Sequence, residues 1–198
     1  MAELSRIIIC GAGTLGGNLA ENLAWIGIGR FTVIDMDRVE KKNLANQPYL
    51  SLDIGQPKVK ALSACLYRAA GAEVTALHKE LTSGNVESLL AGSDLVIDTF
   101  DNEESRKIVT LFCRQENIPC LHAGLSNDGY GEVIWNDHYR VPGGGDEENA
   151  CEKPRNRSLS LLVVSVTTEV ILAYRDGKEK KNYTITLKDL QISPLYPG

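Results

Sequence analysis

Short runs rich in isoleucine and valine alternate with segments of helical periodicity along most of this sequence. The predicted strands are RIIIC (6–10), RFTVID (30–35), AEVTALH (72–78), DLVIDTF (94–100) and IPCLHAG (118–124). The predicted helices between them are TLGGNLAENLAWIG (14–27), PKVKALSACLYRAA (57–70), NVESLLAGS (85–93) and NEESRKIVTLFCRQEN (102–117). Such alternation is typical of a parallel sheet covered on both faces. We therefore predict an α/β fold of the Rossmann-like, doubly wound type, with a mostly parallel sheet.

The pattern changes after Gly124. GYGEVIW (129–135) alternates as an antiparallel strand does. The stretch 136–157 has no periodicity and contains PGGGDEEN, which predicts a long surface loop. The apolar stretch LSLLVVSVTTEVILAY (159–174) predicts a helix, and NYTITL (182–187) a last strand. We predict a single domain over 1–198, made of a Rossmann-like core (1–135), the loop (136–157) and a C-terminal antiparallel extension with helix and strand (158–198).

Composition and charge disfavour several classes of function. The 198 residues carry a formal net charge of −5, which gives no reason to expect nucleic-acid or membrane binding. No secretory signal is visible, and serine, threonine and glutamate interrupt the apolar stretch at 159–174. We expect that stretch to be a buried helix, too short and too polar to span a bilayer. The five cysteines lack C-x-x-C spacing, which predicts reduced thiols in the cytoplasm and no structural zinc.

A glycine-rich loop joins the first predicted strand to the first predicted helix. It contains Gly11-x-Gly13-x-x-Gly16, with Leu15 before the third glycine. Glycines permit a tight turn and close backbone approach, while the helix N-terminus offers N–H groups and a positive dipole end to phosphate. The plainer explanation is that the glycines only allow tight packing. Asp35, at the end of the second strand, could hold the ribose of NAD or of ATP, so the loop indicates a nucleotide without choosing between them.

Three further polar stretches follow predicted strands or begin a helix. They supply Asp35 and Asp37 with Asn43 and Gln47, then Lys58 directly after Pro57, and finally Asp98, Asp101, Asn102 and Arg106. In a doubly wound sheet these strand ends converge on one crevice, so we expect the side chains to surround one ligand. Hydride transfer needs no lysine or metal at the phosphates. Attack on an α-phosphate does, because negative charge must be neutralised as pyrophosphate departs.

The order of these motifs resembles the ThiF/MoeB/HesA family, relatives of the ubiquitin-activating enzymes. The motifs are G-x-G-x-x-G, D-x-D-x-V-x-x-x-N-L-x-x-Q, G-x-P-K and D-x-x-D-N, and the resemblance covers 5–135 and, more loosely, 158–174. It implies ATP-dependent adenylation of the C-terminal glycine carboxylate of a small ubiquitin-fold carrier protein ending in Gly-Gly, with Mg²⁺ and release of pyrophosphate. The activated carboxylate then passes to sulfur, in sulfur transfer for cofactor synthesis. Members of the family usually form homodimers.

The resemblance also implies roles for individual residues. Asp35 resembles the acid that binds the ribose, Lys58 the lysine on the triphosphate, and Asp101 the acid that binds magnesium. Asn43 and Gln47 correspond to residues on the phosphate side. The implied nucleotide-binding set comprises Gly11, Gly13, Leu15, Gly16, Asp35, Asp37, Asn43, Gln47, Lys58 and Asn102.

Several of these residues have plainer explanations. Asp37 either caps its loop or contacts the ligand, and Lys58 could be an exposed residue at a helix start, where a cation is mildly disfavoured. Asp101 could be a helix N-cap, which is compatible with metal binding. Asp98 is expected to be structural and Arg106 to form a surface ion pair. Buried packing is the expectation for Cys10, Cys65, Cys113, Cys120 and His122.

The sequence departs from the family pattern in three places. Asn46 stands where the family loop usually has an arginine that reaches the ATP phosphates, so transition-state stabilisation should fall. The chain begins almost at its first strand, so we expect no N-terminal helix carrying an arginine into a partner's site. Cys151 lies roughly where family members can carry a sulfur-handling cysteine. Basic neighbours would favour its thiolate and a catalytic role, although an incidental loop cysteine explains it at least as well.

The preferred prediction is a short ThiF-like adenylyltransferase. One alternative is a nucleotide-binding or scaffold module that has lost turnover, which Asn46 motivates. Another is an NAD-dependent oxidoreductase, against which Lys58 and the D-x-x-D-N segment argue. A tRNA-modifying relative is conceivable, but the acidic charge offers no electrostatic footprint for RNA.

Overall fold

The computed structural model describes residues 4–142, 153, 156–177 and 180–195. The strands are β1 (Ile7–Cys10), β2 (Arg30–Ile34), β3 (Glu73–Leu77), β4 (Leu95–Asp98), β5 (Cys120–Leu125), β6 (Tyr130–Trp135), β7 (Asn182–Thr186) and β8 (Gln191–Leu195). The helices are α1 (Thr14–Trp25), α2 (Lys58–Ala70), α3 (Val86–Leu90), α4 (Glu103–Gln115) and α5 (Arg157–Arg175). Short 3₁₀ helices lie at Lys41–Ala45 and Ser51–Asp53.

All eight strands form one sheet, in the order β3-β2-β1-β4-β5-β6-β7-β8. Strands β1 to β5 are parallel, and β6, β7 and β8 extend the sheet antiparallel. This confirms the predicted fold class. Cys10 pairs with Ile34 on one side and with Asp98 on the other, so β1, β2 and β4 end at one level. Strands β2 and β3 lie on one side of β1, and the chain then crosses to β4 on the other side. Doubly wound folds form a crevice where the strand order reverses in this way.

Two apolar clusters cover the two faces of the parallel strands. Ile7 and Ile9 of β1 point to the cluster with α1, α2 and α5, whereas Ile8 and Cys10 point to the cluster with α3 and α4. Strands buried on both faces lose the alternation of a half-exposed strand. The unbroken IIIC run follows directly from this position at the centre of the sheet.

Helix α5 packs against α1 and the sheet strands β5, β6 and β7. The helix has 19 residues, and an 18-residue apolar window within it has a mean hydropathy of 1.4. It thus meets the length and composition of a membrane-spanning helix, so the expectation that it is too short and too polar was wrong. Half of the apolar window is nevertheless buried within the fold, as expected for a core helix. The hydroxyls of Thr167 and Thr168 donate to the carbonyls of Val163 and Val164, which satisfies polar groups inside the helix.

Strand β8 was not predicted, because the sequence pattern indicates NYTITL as the last strand. Residues Gln191–Leu195 lie at the sheet edge and are mostly exposed, so they carry no alternating apolar signal. Pro194 lacks the N–H that a ladder requires, a residue that sheets accept at an edge. The predicted loop at 136–157 is described only at 136–142, 153, 156 and 157, and Cys151 lies outside the described residues.

Candidate functional site

A pocket of about 280 Å³ opens at the carboxyl ends of the parallel strands. Loops that follow β1, β2, β3 and β4 line it, together with the first residue of α2 and the first two turns of α4. Of the residues predicted from sequence, the pocket brings together Gly11, Gly13, Leu15, Asp35, Asp37, Gln47, Lys58, Asp101 and Asn102. Gly16 and Asn43 do not line it.

The three glycines of the first loop have different physical functions. Gly11 has φ +102°, a conformation that favours glycine. A Cβ built on Gly16 would lie 2.0 Å from the Gly11 carbonyl oxygen, so Gly16 permits close packing behind the pocket. A Cβ on Gly13 would meet no atom within 4 Å, which leaves open space between this backbone and the pocket. The loop thus exposes the N-terminus of α1, whose first turn has no acidic residue, to a ligand.

Asp35 organises the loops around it. Its Oδ2 accepts a hydrogen bond from the Ala12 N–H and its Oδ1 from the Asp37 N–H, both at 2.7 Å. Burial raises the pKa of the Asp35 carboxyl, and this outweighs the opposing effects of Lys58 and the two N–H donors. The carboxylate therefore fixes the glycine loop and the segment after β2 to each other while it lines the pocket.

Lys58 is buried, with 6% of its surface exposed, although it is the first residue of α2. Its Nζ lies 2.8 Å from Asp37 Oδ2, and its backbone N–H donates to the Asp37 carbonyl at 2.9 Å. The alternative that Lys58 is an exposed residue at a helix start was therefore wrong. The Asp37 side chain, which is 55% exposed, binds this ammonium.

The polar residues after Asp37 divide between the pocket and the loop interior. Asn43 Oδ1 accepts a hydrogen bond from the Glu40 N–H (2.8 Å) and closes a capping box on the 3₁₀ helix, so it shapes the loop. Gln47 lines the pocket, and its buried Oε1 has no hydrogen-bond partner among the described residues. Asn46 is buried outside the pocket lining, and its carbonyl accepts from Asn18 Nδ2 (2.9 Å).

The turn between β4 and α4 forms another wall of the pocket. Asn102 is the N-cap of α4, because its Oδ1 accepts a hydrogen bond from the Ser105 N–H (2.8 Å). The suggestion that Asp101 is the N-cap was wrong. Asp101 is exposed and lines the pocket one residue earlier.

Arg106 is buried rather than exposed in a surface ion pair, so that expectation was wrong. Its guanidinium donates to the carbonyls of Phe100 and Ala123 and to the hydroxyl of Tyr139. It also lies 4.0 Å from the carboxylate of Asp98, which is fully buried. Burial alone would raise the pKa of Asp98. Arg106 and the hydrogen bond from His122 outweigh that effect and lower it below its ordinary value.

The cysteines and the histidine of β5 occupy different environments. Cys10, Cys113 and Cys120 are buried as expected, whereas Cys65 is only partly buried, contrary to expectation. His122 is fully buried, but it does more than pack: its Nδ1 lies 2.9 Å from Asp98 Oδ2 and its Nε2 2.9 Å from Asn136 Oδ1.

One wall of the pocket was missed by the sequence analysis. Residues 79–83, after β3, line it and include a second cation, Lys79. The position of β3 beside β2 places this loop at the same edge as the others. The sequence of this loop, KELTS, contains no motif, so only its position after a parallel strand could have indicated that it lines the pocket. No arginine lines the pocket among the described residues.

This chain is similar in sequence or in fold to several known proteins. Residues 2–173 match the sequence model of the ThiF family. The chain is 35% identical over 124 residues to the SAMP-activating enzyme E1 of Haloferax volcanii, covering 61% of this chain and 46% of that protein. It is 32% identical over 131 residues to the sulfur carrier protein ThiS adenylyltransferase of Bacillus subtilis, covering 64% and 39%. The chain thus spans less than half the length of these two relatives.

Among solved structures, E. coli MccB with ATP superposes with a TM-score of 0.81. The alignment covers 98% of this chain and 64% of that chain at 18% sequence identity. At that identity the likeness concerns the fold, and it includes the antiparallel extension because nearly the whole chain is covered.

Proposed function

The chain belongs to the ThiF family, and from that premise we propose that it binds ATP in this pocket and adenylates a carboxylate. The substrate that we propose is the C-terminal glycine of a small ubiquitin-fold carrier protein ending in Gly-Gly. Relatives named as an enzyme that activates SAMP and as an adenylyltransferase of the sulfur carrier ThiS support this choice. The chain spans less than half of the length of those relatives, so their activity is proposed for this chain and not transferred to it as a finding.

The observation that carries the proposal is the buried lysine at the pocket. Lys58 is 6% exposed and lines the same pocket as Gly13 and the N-terminus of α1. A buried ammonium beside helix N–H groups creates a region that favours a polyanion. Triphosphate carries more negative charge there than the pyrophosphate of a dinucleotide, so ATP gains more from this arrangement than NAD does.

Mg²⁺ fits the donors that the pocket offers. Proteins commonly hold Mg²⁺ through one or two carboxylates together with substrate phosphates, and Asp101 supplies such a carboxylate at the pocket wall. When bound, the ion would neutralise charge on the phosphates as pyrophosphate leaves. We therefore propose Asp101 as its protein ligand.

The proposed reaction asks little covalent chemistry of the protein. A carboxylate oxygen of the carrier attacks the α-phosphorus, the bond from phosphorus to the bridging oxygen of the β-phosphate breaks, and pyrophosphate leaves with that oxygen. The products are an acyl adenylate and pyrophosphate, and no proton transfer is required. Lys58 would offset the charge of the leaving phosphates, Asp35 would hold the ribose, and Gly13 would allow the phosphates close to the backbone.

Further parts of the proposal concern the pathway rather than the pocket. We propose transfer of the activated carboxylate to sulfur in cofactor synthesis, assembly as a homodimer and a cytoplasmic location. The names of the sulfur carrier adenylyltransferases among the relatives support the sulfur pathway. The proposed contribution of Cys151 concerns a residue outside the described ranges.

One observation favours a second candidate function, a nucleotide-binding module without turnover. Asn46 is buried away from the pocket, and the described residues place only the cations Lys58 and Lys79 in its lining. A site with two lysines and no arginine stabilises a departing pyrophosphate less well than a site that also contains an arginine.

Exchange of labelled pyrophosphate into ATP separates the two candidates. The purified chain is mixed with ATP, Mg²⁺ and a carrier ending in Gly-Gly, and the same carrier lacking its last glycine serves as the control. Adenylation predicts exchange that requires the intact carrier end. Measurable ATP binding without exchange would support the module instead.

A further inference from the structure

Arg106 joins the pocket wall to two other parts of the fold. Its Nε donates to the carbonyl of Phe100, which lines the pocket in the turn between β4 and α4. Its Nη2 donates to the Ala123 carbonyl on β5 (2.8 Å), and its Nη1 to the Tyr139 hydroxyl (2.6 Å). One guanidinium therefore ties the pocket turn to β5 and to the segment after β6.

The partners of Arg106 are themselves held in place. Asp98 Oδ1 accepts a hydrogen bond from the Phe100 N–H (3.1 Å), and Asp98 Oδ2 lies 2.9 Å from His122 Nδ1. The His122 ring stacks on the Tyr139 ring, with centroids 3.8 Å apart and planes 8° apart. Asp98, His122, Tyr139 and Arg106 thus form a closed buried ring, which we call the Arg106 ring. Both backbone polar groups of Phe100 are bonded to members of it.

The residue held by the Arg106 ring, Phe100, is next in sequence to the proposed metal ligand. Asp101 follows Phe100 directly, and Asn102 then caps α4 through the Ser105 N–H. The short turn carrying Asp101 is therefore fixed on one side by the Arg106 ring and on the other by the helix cap. The planar guanidinium spreads its donors over three nitrogens in fixed directions, which lets it reach acceptors on three elements in a way that the single nitrogen of a lysine does not match.

We infer that Arg106 is a positioning residue of the pocket: it holds the turn at 100–102 so that the Asp101 carboxylate faces a magnesium-bound triphosphate. The inference rests on the proposed ATP site and adds to it a buried residue that touches no ligand. Groups that orient a metal ligand affect metal affinity in this indirect way. A residue that acted only on overall stability would leave the magnesium dependence of nucleotide binding unchanged.

Arg114 provides a matched control on the same helix. Its guanidinium donates to the carbonyls of Asn136 and Tyr139, at 2.8 and 2.6 Å, and so binds the same segment after β6. It makes no hydrogen bond to the pocket turn among the contacts described. Arg106→Lys keeps a cation beside Asp98 but loses the fork, and Arg106→Gln removes the charge as well. Arg114→Lys and Arg114→Gln make the same changes away from the pocket.

The test combines calorimetric ATP titrations with and without Mg²⁺ and hydrogen exchange in the ligand-free proteins. We expect both Arg106 variants to weaken ATP binding about tenfold with Mg²⁺ and to change it little without the ion. Amides at 100–105 should exchange faster in these variants than in the Arg114 variants. If Arg114 variants lose magnesium-dependent affinity equally, or exchange at 100–105 is unchanged in Arg106→Lys, the inference is overturned.

A double variant tests whether Arg106 acts through Asp101. In an Asp101→Asn background, Arg106→Lys should lower ATP affinity with Mg²⁺ by less than about twofold, because the ligand it positions is already gone. Full additivity of the two substitutions would contradict the inference. Wild-type protein that binds no ATP would overturn the proposed function. The hydrogen-exchange data would still decide whether Arg106 holds the turn.

Discussion

The Nζ of Lys58 lies 2.8 Å from Asp37 Oδ2. Lys58 is 6% exposed, whereas the side chain of Asp37 is 55% exposed. The buried cation thus faces the pocket with one acid already beside it. An incoming polyphosphate adds negative charge next to this pair, so Lys58 would be shared between Asp37 and the ligand. This places Lys58 at the centre of the electrostatics of the pocket.

Replacing Lys58 with methionine tests that position. Loss of a charge-assisted contact is expected to cost about 1.5–3 kcal/mol of binding, which is about 10- to 150-fold in the Kd for ATP. Lys60→Met on the exposed face of the same helix is the control and should bind ATP as the wild type does. Calorimetric titration measures both. An unchanged Kd in Lys58→Met would show that this ammonium does not contact the ligand.

Two glycines of the first loop should separate ligand binding from stability. Gly13→Ala adds a methyl group in open space at the pocket, so we expect weaker ATP binding with little change in the free energy of unfolding. Gly16→Ala places a Cβ 2.0 Å from the Gly11 carbonyl oxygen, and such overpacking should cost about 1–3 kcal/mol of stability. Urea denaturation and ATP titration of both variants check the separation. The reverse pattern would show that the loop does not approach the ligand closely.

We expect the side chain of Gln47 to contribute to ligand binding rather than to the stability of the fold. Its buried Oε1 has no hydrogen-bond partner among the described residues, although the residue lines the pocket. Gln47→Met removes the polar atom at similar volume, so the free energy of unfolding should stay constant or rise by up to about 1 kcal/mol. ATP binding should weaken in the same variant. A variant that loses stability but binds ATP normally would assign Gln47 a structural role.

The titration of Asp35 depends on Lys58. Burial raises the pKa of Asp35, while Lys58 is the strongest opposing influence. Removing the ammonium in Lys58→Met should therefore raise that pKa further, as measured by carbon NMR of the carboxyl group. Because the folded protein holds this proton more tightly, the Asp35 contribution destabilises the fold as pH rises from the unfolded pKa to the raised folded pKa. That window should extend to higher pH in Lys58→Met, and a lower Asp35 pKa there would refute the assigned cause.

Much of the fold was accessible from the sequence because burial leaves a local pattern. Strands β1, β2, β4 and β5 are largely buried and read as apolar runs, so their positions were predicted within a few residues. Strand β8 was missed since Gln191–Leu195 is an exposed edge whose pairing partner, β7, supplies most of the information. Edge strands of this kind are specified by neighbours rather than by their own periodicity.

The candidate site was predicted less completely. Motif residues such as Lys58 and Asp35 gather at one pocket because parallel strands end together, which is a general property of the fold. Arg106 was misjudged because its acceptors on Ala123 and Tyr139 lie 17 and 33 residues away in sequence. Asn43 does not line the pocket, and a local capping box with Glu40 accounts for its burial. Long-range partners cannot be read from helical position alone.

The most direct test of the account is a competition between ATP and NAD for the pocket of the wild-type chain. With Mg²⁺ present, we predict calorimetric binding of ATP that NAD does not displace and that Lys58→Met weakens. Binding of NAD in preference to ATP, or ATP binding that is indifferent to Lys58→Met, would contradict the claim that this pocket holds a triphosphate through its buried lysine.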